Sequence, residues 1–537
     1  MSQQNQHAQN EESSDSNLVG ESNSSERLPQ IHGQKLSSST SSRDLDEYEK
    51  RKTSEESQYA STQSLTLAVS ESSPDLTGIV LKTFDCPVQT YGDSRHVMPS
   101  VMLSRDQISI WSILKHAIGK DLTRITMPIE FNEPLSFLQR LAEHMEYADL
   151  LKKAALCDDH LKRIELVAAF SISALASNRD RVAKPFNPML GETYELDRMD
   201  DLGFRYVSEQ VCHHPPISAF HVEGNGWRYY GSVCPKLKFF GQTVDCYLKG
   251  ISTLELTRYN ETYTWGAPCC SVHNLVMGKM YIEHSGTIEI RNHASKVTAS
   301  LNLKPSSGWF SRESHCSYIQ GYVTENKKKV RALYGDWSEF LAVCELDTFE
   351  RHFSAWGRER KDQKERDAEL KSVPRSPPPN RRFSTNADDI AAVVDGSHQT
   401  TAQINVQMVL PLLAGSDVLW RANARPAINF YQFTMFSLLL NEWVESQHAH
   451  LPPTDARRRP DIRLMEEGDI DNASSEKHRL EEKQRAVAAE KKKSKDIHKP
   501  LWFTSKPHPL VKNEEVWVFN PAYFDRDWSQ CHDIFGT

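Results

Sequence analysis

No apolar run in this chain approaches the roughly 20 residues that a membrane-spanning helix needs. A stretch such as "MVLPLLAG" (Met408 to Gly415) is far too short, so any membrane work is expected to be peripheral. Cysteine pairing is also missing: the 10 cysteines are scattered without a C-x-x-C pair, and Cys269 and Cys270 are direct neighbours. The opening "MSQQNQHAQNEESSDSN" has no secretory apolar core. These absences lead us to expect a reduced, cytoplasmic protein. Excess positive charge is lacking as well; a net charge of -8 gives no global bias toward nucleic acid, so anions must be met by local patches. Finally, G-x-S-x-G, H-E-x-x-H and P-loop motifs are absent, which leaves no sequence support for a hydrolase or an NTPase.

What is present is uneven. Hydrophobic residues make up 38% of 537, and mean hydropathy is -0.58, polar for such a length. An ordered core diluted by disordered segments is expected. Residues 1–97 are rich in Ser, Gln, Glu, Asp and Asn, with Phe84 the sole Phe and no Trp; they read as a disordered tail. Residues 357–403, with "KDQKERDAEL" and "PRSPPPNRRFS", read as a charged, Pro-rich insert in a folded domain. Within it, "RRFS" places two arginines ahead of Ser384 at a spacing basophilic kinases prefer, or is an unused chance match. The remaining divisions are 98–193 (lid and N-terminal helices), 194–356 (β-barrel) and 404–537 (C-terminal part with a basic helix).

"SRDQISIWSILKHAIG" predicts a helix, with Ser104 and Gln107 as a capping box, Gly119 as its stop, and Ile110, Trp111, Leu114 and Ile118 on one face. "NEPLSFLQRLAEHMEYADLLKKA" predicts a second, with Pro134 in its first turn, and "LKRIELVAAFSISALAS" a third. From Tyr194 to about Phe353 the period changes. "KVTASLNL" alternates Val297, Ala299, Leu301 and Leu303 with polar residues, and "TLELTRY", "GTIEI" and "RYVSEQV" are similarly short. Serial antiparallel strands of this kind predict a large barrel or curled sheet. A strand pair and then a charged helix, "SSEKHRLEEKQRAVAAEKKK", are expected after Leu410.

One corner invites chemistry. In "SEQVCHHPPISAF", His213 and His214 run into Pro215 and Pro216. A metal site needs three or four converging ligands, and neighbours on a strand point to opposite faces, so metal binding is not expected here. Two readings stay open from the residues alone: a rigid turn with structural histidines, or an anion clamp in which imidazolium rings meet a phosphate. "AKPFNPMLGE" offers a second stiff corner with Lys184 and Asn187. Lys477, Glu481 and Arg485 recur at i, i+4 and i+8, which fits either an exposed ion-pair ladder or a basic binding face.

"EQVCHHPP" closely resembles the EQVSHHPP signature of the oxysterol-binding-protein-related lipid-transfer family. "ITMPIEFNEPLSFLQRLAEHMEY", "KPFNPMLGETYEL", "VHNLVMGKMYIEHSGTIEI" and "LPPTDARRRPDIRLMEEGDIDNASSEKHRLEEKQR" agree, so the resemblance covers about Met98 to Thr537 outside the insert. It is nearest to short, ligand-domain-only members of the subfamily of the first and second human related proteins. Cys212 stands where the family usually has Ser, which removes a strong donor. No pleckstrin-homology domain or ankyrin array is recognised ahead of it.

The resemblance implies a mainly β (α+β) fold: a near-complete antiparallel β-barrel around a hydrophobic tunnel, with an N-terminal helical lid and a C-terminal helical subdomain. It implies a monomeric, non-enzymatic carrier, without cofactor, that exchanges a sterol (cholesterol or an oxysterol) for phosphatidylinositol 4-phosphate or 4,5-bisphosphate. Phosphatidylserine in place of the sterol, or a sterol-regulated scaffold or sensor at contact sites, are the alternatives. Carried over by position, the head-group site is Lys184, Asn187, His213, His214, Lys477, Glu481 and Arg485, with Glu481 holding the two cations in place. Ile108, Trp111, Leu114 and Leu122 fit an apolar lid over the lipid, or ordinary core packing. "ENKKKVR" (Glu325 to Arg331) reads as a basic hairpin tip, for anionic lipid or merely solvated. The expected location is peripheral, where the endoplasmic reticulum meets endosome, plasma membrane or lipid droplet. A VAP receptor would be a partner by analogy, although "DLDEYEKRKTSEE" is a poor FFAT match.

Overall fold

Val297, Ala299, Leu301 and Leu303 are all buried, at most 2% exposed, and the strand they form lies inside the largest element of the molecule. The computed structural model describes residues 89, 91, 94–102, 127–303, 318–352, 412–494 and 498–536. The helix expected over Ser104 to Gly119, with Ile108, Trp111, Leu114 and Leu122, lies outside the described residues, as do Ser384 and the insert.

A short parallel pair comes first, β1 (Asn132–Ser136) with β2 (Lys184–Phe186). A sheet of 14 antiparallel strands follows. Its first half holds β3 (Thr193–Arg198), β4 (Phe204–His213), β5 (Pro216–Gly224), β6 (Trp227–Phe239), β7 (Val244–Lys249), β8 (Ser252–Leu256) and β9 (Glu261–Trp265). The second half holds β10 (Cys269–His273), β11 (Tyr281–Asn292), β12 (Val297–Leu303), β13 (Tyr318–Glu325), β14 (Lys328–Asp336), β15 (Phe340–Glu345) and β16 (Asp417–Arg421). The main path runs from β3 through β4, β5, β6, β7, β10 and β11 to β16. Long strands β6 and β11 fork: β6 also pairs β8, β8 pairs β9, and β9 pairs β11. Six strands thereby close a ring, β6-β7-β10-β11-β9-β8, and the sheet is a partly closed barrel. The basic tip "ENKKKVR" is the β13–β14 hairpin, whose turn residues Asn326 and Lys327 both take positive φ, as a two-residue turn between twisted strands requires.

The helix His160–Ala176 packs across β11, β12, β13, β15 and β16 and is buried nearly all round. Its Ala, Ile, Val and Phe content suits an enclosed position more than an amphipathic surface one. Two sequence expectations change. Pro134 sits in strand β1, and the helix starts three residues later, at Phe137, because Ser136 caps Leu138 and Gln139 closes the box onto Ser136. That stretch then breaks into helix Phe137–Ala142, a 3-10 turn, and helix Ala148–Leu156. Beyond the insert, one strand (β16) joins the sheet; the strand pair β17 (Phe503–Pro507) and β18 (Glu515–Phe519) comes after the charged helix. That helix spans Ile470–Ser494.

Candidate functional site

Lys184 opens β2, held there because Asn132 donates from its amide to the Lys184 carbonyl at 3.1 Å. Its ammonium donates to Asn187 Oδ1 at 2.6 Å, so the two polar groups of the "KPFNP" corner already touch. The corner is fastened from below. Arg459 donates to the Asn187 carbonyl at 2.9 Å and to Glu192 at 2.9 Å, and Glu192 accepts from Met189 N at 2.9 Å and from Ser136 Oγ. The loop is then stitched to the strand that bears the histidines, through Gly191 N to Gln210 O at 3.0 Å and Gln210 N to Glu192 O at 2.8 Å.

His213 is the last residue of β4 and pairs with Pro216, the first of β5, so His214 and Pro215 are the turn. The His214–Pro215 peptide is cis. Strand alternation would have set the two rings on opposite faces, but alternation ends at the turn, and the ring centroids lie 4.7 Å apart. His214 is exposed; His213 is half-buried, with Nδ1 buried and without a hydrogen-bond partner. Burial, then the neighbouring His214, pull the His213 pKa down to about 4, against a weak opposing pull from the Pro188 carbonyl. The imidazole is thus neutral at pH 7 in this structure, whereas the sequence reading started from imidazolium.

Lys477, Glu481 and Arg485 stand on one face of the helix Ile470–Ser494. Glu481 bridges both cations, accepting from Lys477 at 2.7 Å and from Arg485 at 3.4 Å, and Arg485 also pairs with Glu482. Lys477 is buried and gives a further proton to the Met127 carbonyl at 2.9 Å. The helix is tied to the first corner by Gln484, which accepts from Leu190 N at 3.0 Å, and by Leu480 packing on Met189. Burial pulls the Lys184 pKa down to about 8, helped by Lys477 and Arg459 and opposed by Glu481. That mutual influence places Lys184 within electrostatic range of the helix face.

All seven residues named from sequence therefore belong to three segments bonded into one cluster. Five carry cationic or imidazole nitrogens, one carries an amide, and a single carboxylate links two of the cations. Such a set can hold a phosphate by charge-assisted hydrogen bonds. Arg459, Glu192 and Gln484 escaped the sequence reading; they are buried fasteners, and "RRRPD" gives no periodic signal that separates them from surface charge. Among the described residues, no group of His, Cys, Asp and Glu is placed to hold a metal ion. Likewise, no helix among them is long and apolar enough to cross a membrane.

Residues 109–528 match the family model described as oxysterol-binding protein. Human oxysterol-binding protein-related protein 1 is 45% identical over 446 residues, covering 82% of this chain and 44% of the relative. The chain thus spans about half the length of that relative. Human oxysterol-binding protein-related protein 2 is 43% identical over 461 residues, covering 84% of this chain and 91% of the relative. Among solved structures, the Osh1 ORD domain in complex with cholesterol is 32% identical with a TM-score of 0.63, covering 82% of this chain and 93% of that one. The Osh3 ORD of Saccharomyces cerevisiae in complex with PI(4)P is 28% identical with a TM-score of 0.61, covering 82% and 99%.

Proposed function

Because the chain belongs to the oxysterol-binding protein family, we propose that it is a non-catalytic carrier that exchanges a sterol for a phosphatidylinositol phosphate between membranes. The observation that carries this reading is the convergence of the "KPFNP" corner, the paired histidines and the Lys477–Glu481–Arg485 face. Relatives solved with cholesterol and with PI(4)P support the two ligand classes. The phosphate meets His213, His214, Lys184, Lys477 and Arg485, and Asn187 and Glu481 orient the cations. The sterol is assigned to the inner side of the partly closed barrel, where removal of apolar area from water, at about 25 cal/mol per Å², favours occupancy. One interior holds one lipid, so the ligands exclude each other, and a phosphoinositide gradient gives transport its direction.

Each charge-assisted contact removed should cost about 1.5–3 kcal/mol, on the order of tenfold or more in affinity. The double change His213→Ala with His214→Ala should therefore abolish phosphoinositide extraction from liposomes while sterol extraction persists. Equal loss of both ligands, or simultaneous binding of both, would overturn the reading. A chain that binds lipid but moves none between liposomes would point to a scaffold.

A further inference from the structure

Among the described residues two seams join the halves of the large sheet, β9 to β11 and β7 to β10, and the second ends in a pair of cysteines. Its ladder has three pairs: Val244 with Val272, Asp245 with Ser271, and Cys246 with Cys270. Residues directly opposite in an antiparallel ladder share a face, with Cα atoms about 4.5–5.5 Å apart. A disulfide joins Cα atoms roughly 4.4–6.8 Å apart, so these two cysteines are within its reach as the strands stand. Both are free, and no other two cysteines among the described residues are register partners. Cys212 faces Ile217, and β5 lies between it and Cys234 on β6.

The pair looks inward. Register makes one row of Leu237, Cys246, Cys270 and His284 across β6, β7, β10 and β11. His284 is buried, its ring edge-on to Trp337 at 4.7 Å and its Nε2 3.4 Å from the Asn178 amide. The alternate row, Asp245, Tyr247 and Lys249, lies on the other face, where Tyr247 and Lys249 are exposed. Cys269 belongs to that outer row: its Sγ is 3.8 Å from the Ser271 hydroxyl, which donates to Asp245 at 2.7 Å. Neighbours in sequence, Cys269 and Cys270 thus stand on opposite faces, and Cys270 is the one that meets Cys246. Burial keeps both thiols protonated at neutral pH, pushing Cys270 up to about 12 and Cys246 up as well. Arg140 and Lys184 stand within electrostatic range of Cys246 and favour its thiolate once it forms.

We infer that Cys246 and Cys270 are a reversible oxidation site, a cross-strand disulfide that fastens β7 to β10 when the chain meets a peroxide. One thiol gives up its proton and attacks the O–O bond, forming a sulfenic acid and releasing water. The second thiol attacks that sulfur and displaces a second water. With hydrogen peroxide, two thiols and one peroxide become one disulfide and two waters; each sulfur gives one electron and the peroxide takes both. A dithiol reductant reverses the step by exchange, so the seam is held by its ladder alone in the reduced chain and pinned in the oxidised one. The site is independent of the exchange reading, since neither lipid takes part in it.

The test treats the full chain, freed of reductant, with hydrogen peroxide, then alkylates the remaining thiols in denaturant and maps the peptides by mass spectrometry. Peptides joined through Cys246 and Cys270 should be the main disulfide within the chain, and dithiothreitol should part them. Cys269→Ser should keep the bond and Cys270→Ser should abolish it. The bond closes a loop of about 25 residues, which should raise the thermal midpoint of oxidised wild type by about 3–4 °C over the same sample after dithiothreitol. Oxidised Cys270→Ser should show no such rise. The mapping is made on wild type, so it does not depend on how the variants fold. Cys246 and Cys270 left open to alkylation, a bond from Cys246 to Cys269 in their place, or a midpoint that does not respond to dithiothreitol would overturn the inference.

Discussion

His213 is a ring held neutral at the place where a doubly charged ligand is proposed to sit. Its pKa of about 4 in this structure reflects burial and the adjoining His214. A phosphate placed against it favours the imidazolium, so binding has to take up a proton. Uptake on binding means affinity rises as pH falls. The expected outcome is phosphoinositide binding at least about tenfold tighter at pH 5.5 than at pH 7.5, with sterol affinity nearly flat over the same range. Titration calorimetry in buffers of different ionisation enthalpy reads the proton directly. His213→Gln keeps a donor but cannot take the charge, and should flatten the profile. A pH-independent wild type would show that the ring plays no part in charge recognition.

Among the elements, β1 and β2 lie farthest from the sequence reading, and the reason is a buried charge network. Arg181 is fully buried between Glu133, at 2.8 Å, and Glu143, at 2.7 Å, and Arg140 also reaches Glu133 at 2.8 Å. The network joins the β1 strand to the segment three residues before Lys184. Arg181→Ala leaves Glu143 unpaired in the interior and Glu133 with Arg140 alone, and should destabilise the fold by about 3–5 kcal/mol, read as a lower denaturant midpoint at unchanged slope. Near-neutral behaviour would contradict the burial. Local pattern could not reveal this. "NEPLSF" shows a proline and a capping serine, both compatible with a helix start at Pro134, whereas the strand depends on a partner fifty residues on. Strands with clean alternation, such as Val297–Leu303, were legible because one face is buried and the other is not. The candidate site residues were named through the family resemblance that the "HHPP" and "KPFNP" stretches and the long helix carry, since spacing alone left a structural turn and an exposed ion-pair ladder open. Their fasteners were not, since Arg459 and Gln484 act through backbone atoms that sequence does not mark.

For the whole molecule, the sheet closes over a long interruption. Val343 of β15 pairs with Asp417 of β16, so these two strands meet although 73 positions separate the paired residues by number. Loop-closure entropy grows only as the logarithm of length, so replacing residues 357–403 by a short flexible linker should change stability by no more than about 1 kcal/mol. Both ligands should still bind such a chain, whereas one that begins at Met98 loses Tyr91, buried against Phe436, and Arg95, paired with Glu466, and should be less stable. Loss of lipid binding, measured by mass spectrometry of co-purified lipid, would mean that a part of the folded domain had been removed.

Lys477 has three protons, and in this structure one goes to Glu481 and one to the carbonyl of Met127. An ammonium drawn toward a phosphate holds that carbonyl less firmly, and a carbonyl that keeps the ammonium weakens the hold on phosphate. By reciprocity the two effects are equal in free energy. On the proposed exchange reading, the Met127 carbonyl and the lipid phosphate are therefore rival acceptors for one ammonium, and the backbone there tunes the grip on the ligand.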